Sequence, residues 1–134
     1  MELKTGIRFT KVSLVELDFI LNKKFKPPKD RVPVEVSFNT KNSLSPDKKT
    51  LAVMLSVILF KKTKNGPFQM KVTVEGTFVS NNIEELKKFS RVNALAHLFP
   101  FVREIIGNTT MKANIPPLLL PPLNLTAILT KEKV

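Results

Sequence analysis

LAVMLSVILFKKTKNGPFQMKVTVE, residues 51–75, decides the fold class. From Leu51 to Phe60 every residue is apolar except Ser56. Ten residues fall well short of the ~20 that cross a bilayer, and a short apolar run rich in Val, Ile and Leu reads as a buried strand. Leu51, Val53, Leu55, Val57 and Leu59 share one face, while Ala52, Met54, Ile58 and Phe60 share the other, so cover is expected on both sides. After it, Phe68, Met70, Val72 and Val74 alternate with Gln69, Lys71, Thr73 and Glu75, the period of a half-buried strand. Asn65-Gly66 lies between the two runs and predicts a hairpin, because both central positions of a type I′ turn need positive φ. The middle of the chain is therefore an antiparallel strand pair.

Toward the N-terminus, Val32, Val34, Val36 and Phe38 alternate with Pro33, Glu35, Ser37 and Asn39. Pro33 marks an edge or a strand start, since it has no N–H for a ladder. The segment Asn42–Lys49, with Ser43, Ser45, Pro46 and Asp47, reads as a loop, as does Lys23–Asp30 with Pro27 and Pro28. From Thr5 to Leu21, apolar residues recur at Ile7 and Phe9 and then at Val15, Leu17, Phe19 and Leu21. That pattern predicts one long strand with a bulge where the phase shifts, near Val12 to Leu14. Four antiparallel strands over about residues 5–79 result.

The texture changes at Ser80. Asn81 with Glu84, or Asn82 with Glu85, approximates a capping box, and Ile83, Leu86, Ser90 and Asn93 mark one helical row with Phe89 and Val92 beside it. Pro100 predicts a break at Phe99, because the residue before a proline is pushed out of the α region, and Pro100 itself suits the first position of a new helical segment. Phe101, Val102, Ile105 and Ile106 continue the apolar stripe to a stop at Gly107-Asn108, or onward to Met111. Next comes Ile115-Pro-Pro-Leu-Leu-Leu-Pro-Pro-Leu-Asn-Leu125, whose four prolines exclude a helix and predict an extended connector carrying Leu118, Leu119, Leu120 and Leu123. Asn124 would cap a short last helix with Leu125, Ile128 and Leu129, before the charged tail Lys131-Glu132-Lys133. The class is α+β: a four-stranded antiparallel sheet with a long broken helix and a short C-terminal helix packed on it, in one domain spanning residues 1–134, its helices and connector over about 81–131.

Composition bounds the function. The chain has no cysteine, so disulfides and thiolate metal sites are excluded. Met1-Glu-Leu-Lys-Thr-Gly6 has no basic-then-apolar pattern, so no leader is expected and the cytoplasm is the default compartment. The single histidine, His97, cannot build a histidine metal site and is read as structural. Gly6, Gly66, Gly76 and Gly107 are scattered and form no phosphate-cradling loop. Glu84 and Glu85 suit a first helical turn, where they complement the dipole, and Arg103-Glu104 reads as an exposed pair or an interface contact. No enzyme, cofactor or metal is expected. The formal charge of +11 invites a nucleic-acid module as the alternative reading. Against that, the chain has no Trp or Tyr for stacking, and its phenylalanines alternate in phase with Val and Leu. Lysines gather instead at strand ends: Lys23, Lys24, Lys26 and Lys29, then Lys48 and Lys49, then Lys61, Lys62 and Lys64. A basic rim follows.

His97-Leu-Phe-Pro-Phe-Val-Arg-Glu-Ile-Ile106, followed by the 115–125 connector, resembles the SecB family of protein-export chaperones. In that family a Leu-Phe-Pro-aromatic-x-Arg-Glu run opens the second half of the long helix, and a Pro-Leu connector leads through Asn-Phe to the last helix; Leu125 stands here in place of that Phe. The resemblance implies an ATP-independent holdase for unfolded or nascent polypeptides, assembled as a homotetramer, a dimer of dimers. It also implies a client groove made by Val34, Val36 and Phe38, by Leu118, Leu120 and Leu123, and by Leu125, Ile128 and Leu129, with an oligomer interface at Met70, Val72, Val74, Phe101 and Ile105. The family's acidic sheet positions help to dock the motor SecA. Lys71 occupies one of them here and the tail is basic, which argues against that docking. Some SecB-like proteins serve one antitoxin of a toxin–antitoxin system, so the client is either general or dedicated.

Overall fold

The computed structural model describes residues 6–27, 34–89 and 91–115. The Leu-rich connector, the Asn124 cap, the last helix and the tail lie outside the described residues, as do Thr5, Val32, Pro33 and Ser90. Four strands, β1 (Arg8–Leu21), β2 (Val36–Leu44), β3 (Thr50–Leu59) and β4 (Phe68–Val79), are followed by helices α1 (Ile83–Lys88) and α2 (Arg91–Lys112). They form one antiparallel sheet in the order β1-β4-β3-β2, a Greek-key arrangement in which β1 and β2 are the edges.

The β3–β4 pair is the centre of the sheet, with Leu55 opposite Val74 and Val57 opposite Val72. Val53, Leu55, Val57 and Leu59 face the helices with Phe68, Met70, Val72, Val74 and Phe78, and all are buried. At about 1.5–3 kcal/mol for each fully buried side chain, this face and the helix residues set on it dominate the stability. The outer face of β3 differs from the expected double cover. Ala52, Met54 and Ile58 are half-buried, and no described helix lies on them. The register sets Lys41 opposite Met54 and Lys71 opposite Ile58, and such side chains shield apolar neighbours with their aliphatic stems.

The β3–β4 connection is not a two-residue hairpin. It runs from Phe60 to Pro67, and positive φ falls on Phe60 (57°), not on Asn65 or Gly66. Gly66 serves another purpose, for a Cβ there would lie 3.2 Å from the buried Phe60 side chain. β1 carries two irregularities, at Phe9/Lys11 and Leu14/Glu16. The phase does shift, but at two places that flank the expected Val12–Leu14 stretch: the extra residues are Thr10 and Val15, so Val15 leaves the row shared by Leu17, Phe19 and Leu21. β2 begins four residues later than the alternation starts and extends through Asn42–Leu44, which the sequence presents as loop. Ladder bonds to Leu51–Val53 need only backbone, so polar residues continue the strand. The turn that follows is tight: Asp47 accepts from the Ser45 hydroxyl and, at 3.1 Å, from the Lys49 N–H, and Lys48 takes φ 60°.

Asn82 caps α1, its Oδ1 accepting from the N–H groups of Glu84 (3.0 Å) and Glu85 (3.4 Å). The break between helices falls at Phe89, where ψ is 98°, and not at Phe99. α2 runs straight through Pro100. A proline inside a helix costs about 3 kcal/mol, but Leu95, Leu98, Phe99, Val102 and Ile106 are buried along the same helix and outweigh it, while Pro100 itself faces solvent. The helix continues past Gly107-Asn108 to a Schellman cap: Asn114 sits at φ 63°, its N–H donates to Met111 O, and Ile115 N–H donates to Thr110 O, both at 3.0 Å. Gly76 of β4 lets the helix sit close, since a Cβ there would fall 2.4 Å from Leu98 Cδ2.

Candidate binding surface

α2 packs on β4 and β3, which leaves the inner faces of both edge strands beside it rather than beneath it. On the β2 side, Val36 lies opposite Leu59 and Phe38 opposite Val57. Both are half-buried and pack against the core, whereas Val34 just before them is 37% exposed. An apolar strip therefore runs along β2 next to the helix. At its far end Leu44, 42% exposed, joins Leu51, Ile83, Leu86 and Phe89 around a cavity of about 410 Å³ between the sheet and α1. Sequence reading missed Leu44 and Ile83 as surface residues, because Thr40 and Asn42 interrupt the alternation that began at Val34. Pairing with Leu51 is the only signal that reaches Leu44. Of the expected groove, Val34, Val36 and Phe38 are thus on one face; Leu118, Leu120, Leu123, Leu125, Ile128 and Leu129 lie outside the described residues.

The expected oligomer interface needs correction. Met70, Val72 and Val74 are buried in the chain's own core, at 2%, 0% and 1% exposure, and offer nothing to a second chain. Strict alternation marks an apolar face without saying what covers it; here the cover is α2. Phe101 is 38% exposed, with its ring edge-on to Phe9 at 6.2 Å, and Ile105 is half-buried. On the same side of the sheet, edge strand β1 exposes Leu14 (50%) and Leu17 (44%). Apolar surface on an unpaired edge strand is the usual place for a second chain to pair.

His97 is half-buried among the rings of Phe9, Phe78 and Phe89, with centroids 5.8–6.3 Å away, where it packs with them. Arg103 lies 5.8 Å over the Phe99 ring, and Glu104 accepts from the Asn108 side-chain amide at 2.6 Å, so the two neighbours serve different partners. Lys71 on the outer face pairs with Glu16 at 3.1 Å, both about half exposed, a contact worth roughly 0.2–1 kcal/mol. Among the described residues no cluster of three or more His, Cys, Asp or Glu could hold a metal, and no helix is long and apolar enough to cross a membrane.

A four-stranded Greek-key sheet, covered on one face by a broken helix and bordered by an apolar strip, defines the class of SecB-like chaperone folds. The sequence model of the family described as preprotein translocase subunit SecB matches residues 14–134, so the chain belongs to the SecB family. An uncharacterised protein of Methanocaldococcus jannaschii is 30% identical over 132 residues, covering 94% of this chain and 84% of that protein. The protein-export protein SecB of Zymomonas mobilis is 30% identical over 83 residues, 60% of this chain, and the match spans only 51% of that relative. Among solved structures, the Mycobacterium tuberculosis SecB-like chaperone Rv1957, in complex with a ChAD peptide from the HigA1 antitoxin, aligns over 91% of this chain and 98% of its own with a TM-score of 0.71 at 15% identity. The fold is shared at that level of identity.

Proposed function

We propose that this protein is a non-enzymatic, ATP-independent holdase of the cytoplasm that binds unfolded polypeptide along the inner face of β2. The observation that carries the proposal is the strip Val34, Val36 and Phe38, continuing toward Leu44 and the cavity beside α1, left open by the described helices. Each apolar client side chain buried there would contribute about 1.5–3 kcal/mol before ordering costs, so a row of shallow contacts captures chains without reading their sequence. Leu118, Leu120, Leu123, Leu125, Ile128 and Leu129 would complete the groove.

The β1 edge, with Leu14 and Leu17 exposed near Phe101, supports assembly of two chains edge to edge, and two such dimers would form a tetramer whose repeated grooves add avidity. Exported precursors or one antitoxin are the client classes in view. Lys71, paired with Glu16 where the family resemblance implies an acid, favours a role without SecA hand-over. The decisive assay is light scattering of a diluted, denatured client: aggregation should be suppressed near equimolar tetramer, and unchanged scattering would end the holdase reading. Mass in solution tests the assembly, since a monomer at micromolar concentration would contradict it.

A further inference from the structure

The basic rim is concentrated at one end of the sheet by hydrogen bonds between loops. Lys23, Lys24 and Lys26 follow β1; Lys61, Lys62 and Lys64 lie between β3 and β4, and all six are exposed. The Asn22 N–H donates to Pro67 O (3.0 Å), the Asn22 side-chain amide to Gly66 O (2.8 Å), and the Asn65 amide to Lys26 O (3.3 Å), which ties the first loop across the second. The carboxylate in these described loops is Glu35, and its Oε1 already accepts from Lys62 N–H (2.9 Å) and the Thr63 hydroxyl (2.7 Å). On the outer face nearby, Asp18 stands opposite Lys71 and lines one cavity with Lys71 and Lys61. The same Glu35 attaches this end to the groove, because its carbonyl accepts from Phe60 N–H at 2.9 Å and it sits between Val34 and Val36. A chain lying on β2 therefore leaves the groove at an end where, among the described residues, exposed lysines outnumber carboxylates.

We infer that this end selects clients in which an acidic segment directly adjoins the apolar one, the carboxylates lying against Lys61, Lys62 and Lys64; this rests on the holdase reading above. An amphiphilic polypeptide fits better than a nucleic acid. Lysines are point charges without the planar fork that grips phosphate, and the rings at this end are covered, Phe60 and Phe68 buried and Phe25 half-buried. On the β1 side of the same end, basic and apolar surface also adjoin, around a cavity of about 340 Å³ where Ile20, Leu21 and Phe68 meet Lys64.

Fluorescent peptides give the test. β2 is nine residues long, a run of about 30 Å at ~3.4 Å per residue, so each peptide carries an apolar segment of about nine residues with a short flank of Glu, Gln or Lys at either end. At low salt the Glu-flanked peptide should bind roughly tenfold more tightly than the Gln-flanked one, and the gap should close as salt is raised. Replacing Lys61, Lys62 and Lys64 together by Gln should abolish the gap and leave Gln-flanked binding intact, with an unchanged melting temperature as the folding control. Equal affinity for Glu and Gln flanks, or a gap that survives the triple replacement, overturns the inference while the holdase reading stands. Loss of binding by every peptide overturns the holdase reading itself. A single-stranded RNA oligomer that outcompetes the Glu-flanked peptide, and loses affinity in the triple variant, would instead assign this end to nucleic acid.

Discussion

Gly76→Ala tests whether α2 is seated as closely on the sheet as the fold requires. The added methyl would lie 2.4 Å from Leu98 Cδ2 and 3.3 Å from both Phe78 Cε2 and Phe9 Cε1. Carbon atoms are normally separated by about 3.5–4.0 Å, so the first contact is more than an ångström too short. Leu98 and Phe78 are fully buried, which leaves Leu98 no solvent into which to swing. Overpacking of this kind costs about 1–3 kcal/mol, and restricting the unfolded chain by replacing glycine returns about 0.4–1 kcal/mol, for a net loss of about 1–2 kcal/mol. With an unfolding entropy of ~2.1 cal/mol/K per residue over 134 residues, the melting temperature should fall by roughly 4–7 °C. Urea unfolding at fixed protomer concentration measures the loss, because assembly would otherwise enter the apparent stability. A double-mutant cycle sharpens the result. Leu98→Ala alone should cost about 2–5 kcal/mol, and the pair should cost at least ~1 kcal/mol less than the sum, since the new methyl enters the space Leu98 vacates. An unchanged or raised melting temperature for Gly76→Ala, or simple additivity, would refute the close seating of α2 on β4.

Replacing Val36 and Phe38 by Ser should abolish suppression of client aggregation; because both also touch the core, Leu44→Ser, at an exposed position, is the companion variant that should weaken capture with a melting temperature within about 2 °C of wild type. Leu14→Lys with Leu17→Lys should lower the mass seen by light scattering to that of a smaller assembly, and an unchanged mass would remove β1 from the interface. Asn82→Ala should destabilise by about 1 kcal/mol in urea unfolding, as the amides of Glu84 and Glu85 lose their acceptor. The Glu35 carboxyl is held below its ordinary value of 4.5, first by the Thr63 hydroxyl; desolvation opposes this, and the N–H groups of Lys62 and Thr63 and the Lys62 charge add to the lowering. Its contribution is therefore complete above about pH 4.5 and lost as pH falls through the lower folded value, so Glu35→Gln should flatten the acid limb of stability against pH; an unaltered limb would contradict the assignment.

Much of this protein is legible without coordinates because its periodicities are strong. Alternation through Phe68–Val74 predicts β4, Asn81 with Glu84 or Asn82 with Glu85 predicts the helix start, which falls at the second pair, and the 97–106 run with the Pro-Leu connector points to the family to which the chain belongs. These signals are local: side chains two apart share a strand face, and an Asn before a helical row satisfies its first N–H groups. Where reading failed, the deciding contact came from far along the chain. Asn42–Leu44 became strand because β3 offered a ladder partner, and the α2 axis stayed whole at Pro100 because the sheet beneath it buries Leu95, Leu98, Val102 and Ile106.

Residue identity at short spacing was thus enough for the four strands, the start of the helices after them and the family. Which apolar faces are interior and which are surface depends on the packing of distant elements. Met70, Val72 and Val74 are as apolar as Val34, Leu14 and Leu17, yet the first three lie in the middle of the sheet under α2 and the others stand at or beside its two edges. A helix covers about the width of the two strands beneath it, so in a four-stranded sheet the described helices leave the edge strands more exposed than the centre, and no local pattern records which strands those are.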